Sequence, residues 1–148
     1  MTTAVRTLEW HVHLKSPPVT VHAMLATAEG RERFWAESAK TVGEYDDKIA
    51  FRFANGDELG STVLDNSPPH KFTLTSWAQN ELTFTLEDDG FGGTDLTLRE
   101  FSVPKDSADR HEMRWISVLL ALKAAVDFNV DLRNHDADRT WDRGFVDY

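Results

Sequence analysis

The chain has 148 residues, and 25 acidic side chains outnumber 16 basic ones to give a net charge of -9. One domain of that length buries roughly 68–70% of its unfolded surface. The charge argues against a nucleic-acid or anionic-membrane surface, whose affinity comes from Lys and Arg. The absence of cysteine excludes disulfides, thiol catalysis and thiolate metal sites. The first residues lack an apolar core of signal-peptide length, and the longest apolar run, about twelve residues, is too short for a bilayer. A soluble, cytoplasmic domain without membrane insertion is expected.

In chain order, Leu8, Trp10, Val12 and Leu14 alternate with polar neighbours, the pattern of a half-buried strand. Ser16-Pro17-Pro18 predicts a helix start with Ser16 as N-cap; that helix carries Val21, Met24 and Leu25. Gly30 interrupts before a second short helical piece holding Phe34 and Trp35. From Ala39 the period becomes two. Strands are expected at Thr41–Tyr45, around Ile49, Phe51 and Phe53, and at Leu59–Leu64, with Asn55-Gly56 as a hairpin turn. Further strands carry Phe72, Leu74 and Ser76, then Leu82, Phe84 and Leu86, then Leu96 and Leu98. With no helical pattern between them, these six form an antiparallel meander.

The last element is a long helix within Asp109–Leu132. Trp115, Val118, Leu119, Leu122 and Val126 recur at steps of three and four, and Asp109 with Glu112 reads as a capping box. Ile116, Leu120 and Phe128 widen the apolar stripe, so burial is expected along much of the girth. Such a helix is on the order of 34 Å long, close to a ten-residue strand. The expected fold is α+β. A seven-stranded curved antiparallel sheet wraps the long C-terminal helix, and two short helices sit between the first and second strands. One helix cannot cover seven strands, so a pocket is expected on the concave face.

This order, with its motifs, resembles the helix-grip fold of the START-like (SRPBCC) superfamily. Within it, the chain is most similar to the heat-shock protein 90 ATPase activator homologue family. The motifs are Phe34-Trp35, Asn55-Gly56-Asp57-Glu58-Leu59-Gly60, and Ser67-Pro68-Pro69-His70-Lys71-Phe72 leading to Trp77. They continue with Gly92-Gly93-Thr94, Leu96-Thr97-Leu98, and Trp115 followed by Leu119, Leu122 and Lys123. The resemblance implies a hydrophobic ligand cavity in a START-like domain spanning 1–132; fold alone does not fix function. Residues 133–148 extend beyond it. Trp141 and Phe145 are expected to dock this extension on the domain, near Trp77 and Phe101 on the outer sheet face, or on a partner subunit of a homodimer.

Trp10, Phe51, Phe53, Phe72, Phe84 and Trp115 share inward parity and could line a ligand pocket or fill the core. Phe34, Trp35, Leu74, Leu98, Leu119 and Leu122 complete the candidate lining. Ser76 and Glu100 would be its polar anchors, with Glu37 and Glu58 near the mouths. A carboxylate in an apolar pocket has a raised pKa and suits acid–base work. His11 and His13 share a face that can hold a metal, but it is the polar face and no third ligand is evident. Gly90-Phe91-Gly92-Gly93 precedes a strand, not a helix, so it is a turn and not a phosphate loop. The functional expectation is therefore binding of a small hydrophobic molecule, lipid-like or an aromatic metabolite, without metal or cofactor. The alternatives are a polyketide-cyclase or hydrolase-type enzyme and an interaction domain for an Hsp90-type chaperone.

Overall fold

The computed structural model describes residues 4–44 and 47–138. Strand β1 (Val5–Leu14) is followed by helices α1 (Pro18–Ala26) and α2 (Ala28–Glu32). Then come β2 (Ser38–Val42), β3 (Lys48–Arg52), β4 (Glu58–Ser67), β5 (Lys71–Thr75), β6 (Glu81–Asp88) and β7 (Thr94–Pro104). A 3₁₀ turn, Lys105–Ser107, feeds the long helix α3 (Ala108–Phe128). All seven strands join one antiparallel sheet in the order β1-β7-β6-β5-β4-β3-β2. The expected α+β helix-grip architecture is observed.

Alternation decides which side chains face α3. In β3, Ile49 and Phe51 are buried while Lys48, Ala50 and Arg52 are exposed. In β7, Leu96, Leu98 and Glu100 are buried and face inward. Trp115, Val118, Leu119, Leu122 and Ala125 supply the buried side of α3. Burying one such apolar side chain stabilises by roughly 1.5–3 kcal/mol, so this shared interface is the main driving force for the grip.

Several local expectations are corrected. Pro17, not Ser16, occupies the N-cap of α1. Ser16 instead donates through Oγ to Val126 O (3.0 Å) and Asp127 Oδ1 (2.8 Å), tying the end of β1 to α3. Gly30 lies inside α2, where its N–H donates to the capping Thr27 hydroxyl (3.0 Å), and Phe34 and Trp35 follow the helix. A Cβ at Gly30 would fall 2.5 Å from the Met24 backbone, which explains the glycine by close approach. The Asp109–Glu112 capping box does not form: Ser107 is the N-cap, and Glu112 pairs with Arg6 at 3.1 Å. The helix stops at Phe128, short of Leu132, because Asn129 adopts a left-handed conformation (φ 55°). Strand β2 covers Ser38–Val42, while Tyr45 lies outside the described residues.

The largest correction concerns the outer edge of α3. Ile116, Leu120 and Phe128 are 48%, 53% and 58% exposed. The grip closes over one side of the helix, not most of its girth.

The short helices are fastened by Arg31, which is 1% exposed. Its guanidinium donates to Leu25 O (3.0 Å) at the end of α1 and to Ala39 O (2.8 Å) on edge strand β2. Burial lowers its pKa to about 10, opposed by the nearby Glu32 carboxylate, so it stays charged at neutral pH. These bonds satisfy carbonyls that have no water to turn to. Arg31→Leu should therefore lower the unfolding free energy by about 2–4 kcal/mol, measured by denaturant melts; an unchanged midpoint would contradict the capping role.

Candidate functional site

The inward faces of β3, β5, β6 and β7 converge with Trp35 on α3. The Trp35 ring lies 4.8 Å from Phe51, 6.0 Å from Phe84 and 5.9 Å from Trp115, centroid to centroid. Phe51 stacks on Phe53 with an interplanar angle of 3°. Phe34, Trp35, Phe51, Phe53, Phe72, Leu74, Phe84, Leu98, Trp115, Leu119 and Leu122 all belong to one buried cluster. Trp10 is half-buried and packs against this cluster and against a smaller one made by Leu8, Val103 and Ala108. Eleven of the candidate lining residues are thus brought into mutual packing, with Trp10 at the margin.

The two polar candidates sit together at one end of the wall. Glu100 is completely buried between its cross-strand neighbours Leu8 and Leu82. Its carboxylate is nonetheless well supplied with donors. Oε1 pairs with His111 Nδ1 (2.7 Å) and accepts from Trp115 Nε1 (2.9 Å), while Oε2 accepts from Asn80 Nδ2 (3.1 Å). Asn80 also donates to Phe101 O (2.6 Å) and accepts from the Ser76 hydroxyl. Trp77 covers the group, its ring 4.6 Å from His111 and 4.8 Å from Trp115. The Arg114 guanidinium lies 4.8 Å over the Trp77 ring.

Sequence reasoning passed over His111, Asn80 and Trp77. A signal existed for the first: His111 and Trp115 are four apart on α3, so both reach one carboxylate oxygen. Nothing local marked Asn80, which arrives through the β5–β6 turn. Trp77, expected on the outer sheet face, faces the core because β5 ends at Thr75 and the following turn folds it onto Trp115. Chemically, the Glu100–His111 pair is a carboxylate orienting an imidazole, the arrangement that fixes which ring nitrogen carries the proton.

A second polar cluster forms where the chain leaves α3. Arg133 donates to Ala36 O (2.8 Å) and Glu32 O (2.7 Å), and also pairs with Asp131. His135 bridges Asp131 (2.8 Å) and Glu37 (2.5 Å). Glu37 and His135 border a hollow of about 330 Å³ with Arg52 and Phe53, whereas Glu58 lies at the start of β4 beside a larger groove. Burial raises the Asp131 pKa, but hydrogen bonds from the Arg133 side chain and backbone, with one from His135, outweigh it and bring it to about 2. The hydrogen bonds to Asp131 and Glu37 raise the His135 pKa above its ordinary value. Trp141 and Phe145 lie outside the described residues.

His11 and His13 face outward. His11 contacts Thr97 and Glu9, and His13 pairs with Asp89 at 2.7 Å. Among the described residues no group of three or more potential ligands could hold a metal ion.

Two outcomes follow from these clusters. Glu100→Leu should lower stability by about 3 kcal/mol in denaturant melts, because three donors lose their acceptor; a change under about 0.5 kcal/mol would show the cluster to be inert. For His135 the folded pKa is the higher one. Its contribution is complete below about pH 6.5 and is lost as pH rises through the folded value, whereas that of Asp131 is lost as pH falls from about 3.8 towards 2. Amide exchange across Val130–Asp138, corrected for intrinsic rates, should therefore accelerate on the alkaline side; a flat profile from pH 5 to 9 would refute the clamp.

The family model for Activator of Hsp90 ATPase homolog 1-like protein matches residues 15–127. The solution structure of the Aha1 dimer from Colwellia psychrerythraea aligns with TM-score 0.72 at 22% identity, covering 83% of this chain and 97% of that one. Protein SSP2350 from Staphylococcus saprophyticus gives 0.73 at 18%, covering 86% and 96%. Conserved protein EF2215 of unknown function from Enterococcus faecalis gives 0.72 at 13%, covering 97% and 86%. Among curated proteins, none matches the sequence. These likenesses show the fold, and the match over residues 15–127 shows the family: the chain belongs to the Activator of Hsp90 ATPase homolog 1-like proteins, within the START-like (SRPBCC) superfamily.

Proposed function

We propose that the chain binds a small hydrophobic molecule, lipid-like or an aromatic metabolite, between the sheet and α3. The observation that carries this reading is an aromatic wall from several elements with one hydrogen-bonded carboxylate at its end. Ligand sites combine apolar lining with a few convergent polar groups in this way. The lining is Trp10, Phe34, Trp35, Phe51, Phe53, Phe72, Leu74, Phe84, Leu98, Trp115, Leu119 and Leu122. Ser76 and Glu100 are the polar anchors. The rings touch one another, so a ligand enters by displacing side chains, and apparent affinity falls by the fraction of open molecules.

The Glu100–His111 pair favours a second reading, an acid–base enzyme of the cyclase or hydrolase type, with Glu100 orienting His111. A chaperone-binding role rests on the family description alone and involves an Hsp90-type partner. A homodimer is proposed through the exposed Met113–Ile116–Leu120 face of α3, supported by the dimeric Colwellia relative. Residues 133–148 are proposed to pack on the domain or on that partner subunit. A cytoplasmic location fits a chain in which, among the described residues, no helix is long and apolar enough to cross a membrane.

The deciding experiment is a thermal-shift screen with medium-chain fatty acids and naphthol-type aromatics, read in parallel by tryptophan fluorescence. A ligand present at a hundred times its Kd adds about 2.7 kcal/mol, which should raise Tm by roughly 5–10 °C and perturb Trp35 and Trp115 emission. A flat screen across both classes would reject the binding reading, and capture of purified Hsp90 would then favour the chaperone role. Turnover of a bound compound that is lost in Glu100→Gln with binding retained would establish the enzyme. Sedimentation as a monomer alone at high concentration would remove the dimer.

A further inference from the structure

The outward face of β2–β4 carries a groove of about 700 Å³, on the side of these strands opposite the grip and within the size range of small-molecule sites. Its floor follows from strand register: Lys40 is paired with Ala50, and Ala50 with Gly60, so one row across three strands ends in the two smallest side chains available. Lys48 and Arg52 flank Ala50 along β3 on the same exposed face. Lys40 is held by Glu32 at 2.7 Å. Neither the Lys48 nor the Arg52 side chain has a hydrogen-bond or ion-pair partner among the described residues; Glu58, across from Arg52, forms no ion pair with it. Glu58 is the one carboxylate lining the groove, so in a chain of net charge -9 Lys48 and Arg52 still leave a local excess of positive charge over a bare floor.

Gly60 supplies an independent observation. It lies inside β4, where glycine weakens a strand, and its φ is not in the left-handed region. A Cβ built there meets no atom within 4 Å. Neither backbone conformation nor internal packing accounts for the missing side chain. Its effect is to leave the groove floor bare at that point.

We propose that this groove binds a small flat organic anion. Its ring lies on Ala50 and Gly60, and its carboxylate or phosphate sits between Lys48 and Arg52. Along β3 the two cations are about 13 Å apart at Cα, on either side of Ala50 and on its face of the strand. Binding is charge-assisted and weakens with salt. The site is separate from the grip and does not depend on the reading proposed for it.

The test is an amide-shift titration with 2-naphthoate in one arm and phenyl phosphate in the other, with Tm measured for every variant. Saturating shifts at Ala50 and Gly60 are expected, and the stronger arm identifies the anionic group. Gly60→Val should keep or raise Tm, since a β-branched residue suits a strand, yet abolish those shifts. Lys48→Gln should weaken binding about tenfold. Should Gly60→Val fail to fold, Gly60→Ala takes its place. The proposal is overturned if neither probe shifts Ala50 and Gly60, if the shifts instead cluster at Phe84 and Trp115, or if folded Gly60 variants and Lys48→Gln bind like the parent chain.

Discussion

Trp115 is where the apolar and polar halves of the molecule meet. Its ring packs against Trp35 and Trp77 in the core, while its Nε1 donates to the buried Glu100 carboxylate. An indole suits this place because it offers a large apolar body with one donor at its edge. The contact fixes α3 against β7 in both rotation and translation. Without a partner for Nε1 the indole would lose a hydrogen bond, and without the indole Glu100 would lose a donor in a place water does not reach.

The same logic runs along the rest of the interface. Two buried guanidiniums are received by backbone carbonyls. Arg31 caps Leu25 and Ala39 at one edge, and Arg133 caps Glu32 and Ala36 beside it. Two guanidiniums from distant parts of the sequence thereby fasten the α1–α2 insertion. Asp127, accepting from Ser16 and Lys123, does the reverse job at the end of α3. These contacts give the grip a defined register where apolar packing alone would tolerate sliding.

The consequence for function is a division of faces. The inner face is aromatic and closely packed, so any ligand there must compete with the protein's own side chains. The outer face of β2–β4 is open and cationic where the rest of the chain is acidic. The exposed edge of α3 is apolar and belongs to neither.

Much of this was legible in the residues. Period-two alternation placed Phe51, Phe84, Leu98 and Glu100 on one face, and the three-four spacing placed Trp115, Leu119 and Leu122 opposite them. These follow from local geometry, because a strand or helix fixes the direction of each side chain relative to its neighbours. Local geometry could not tell how far the sheet would wrap, so Ile116, Leu120 and Phe128 looked like core yet face solvent. Nor could it supply Asn80 as a partner of Glu100, or send Ser16 to Asp127 instead of its own helix. Those pairings join segments distant along the chain, and their geometry exists only after the grip has closed. The sequence by itself determined the elements and their inward faces; only the tertiary structure decided which polar groups meet, because a hydrogen bond depends on position in space and carries no period along the chain.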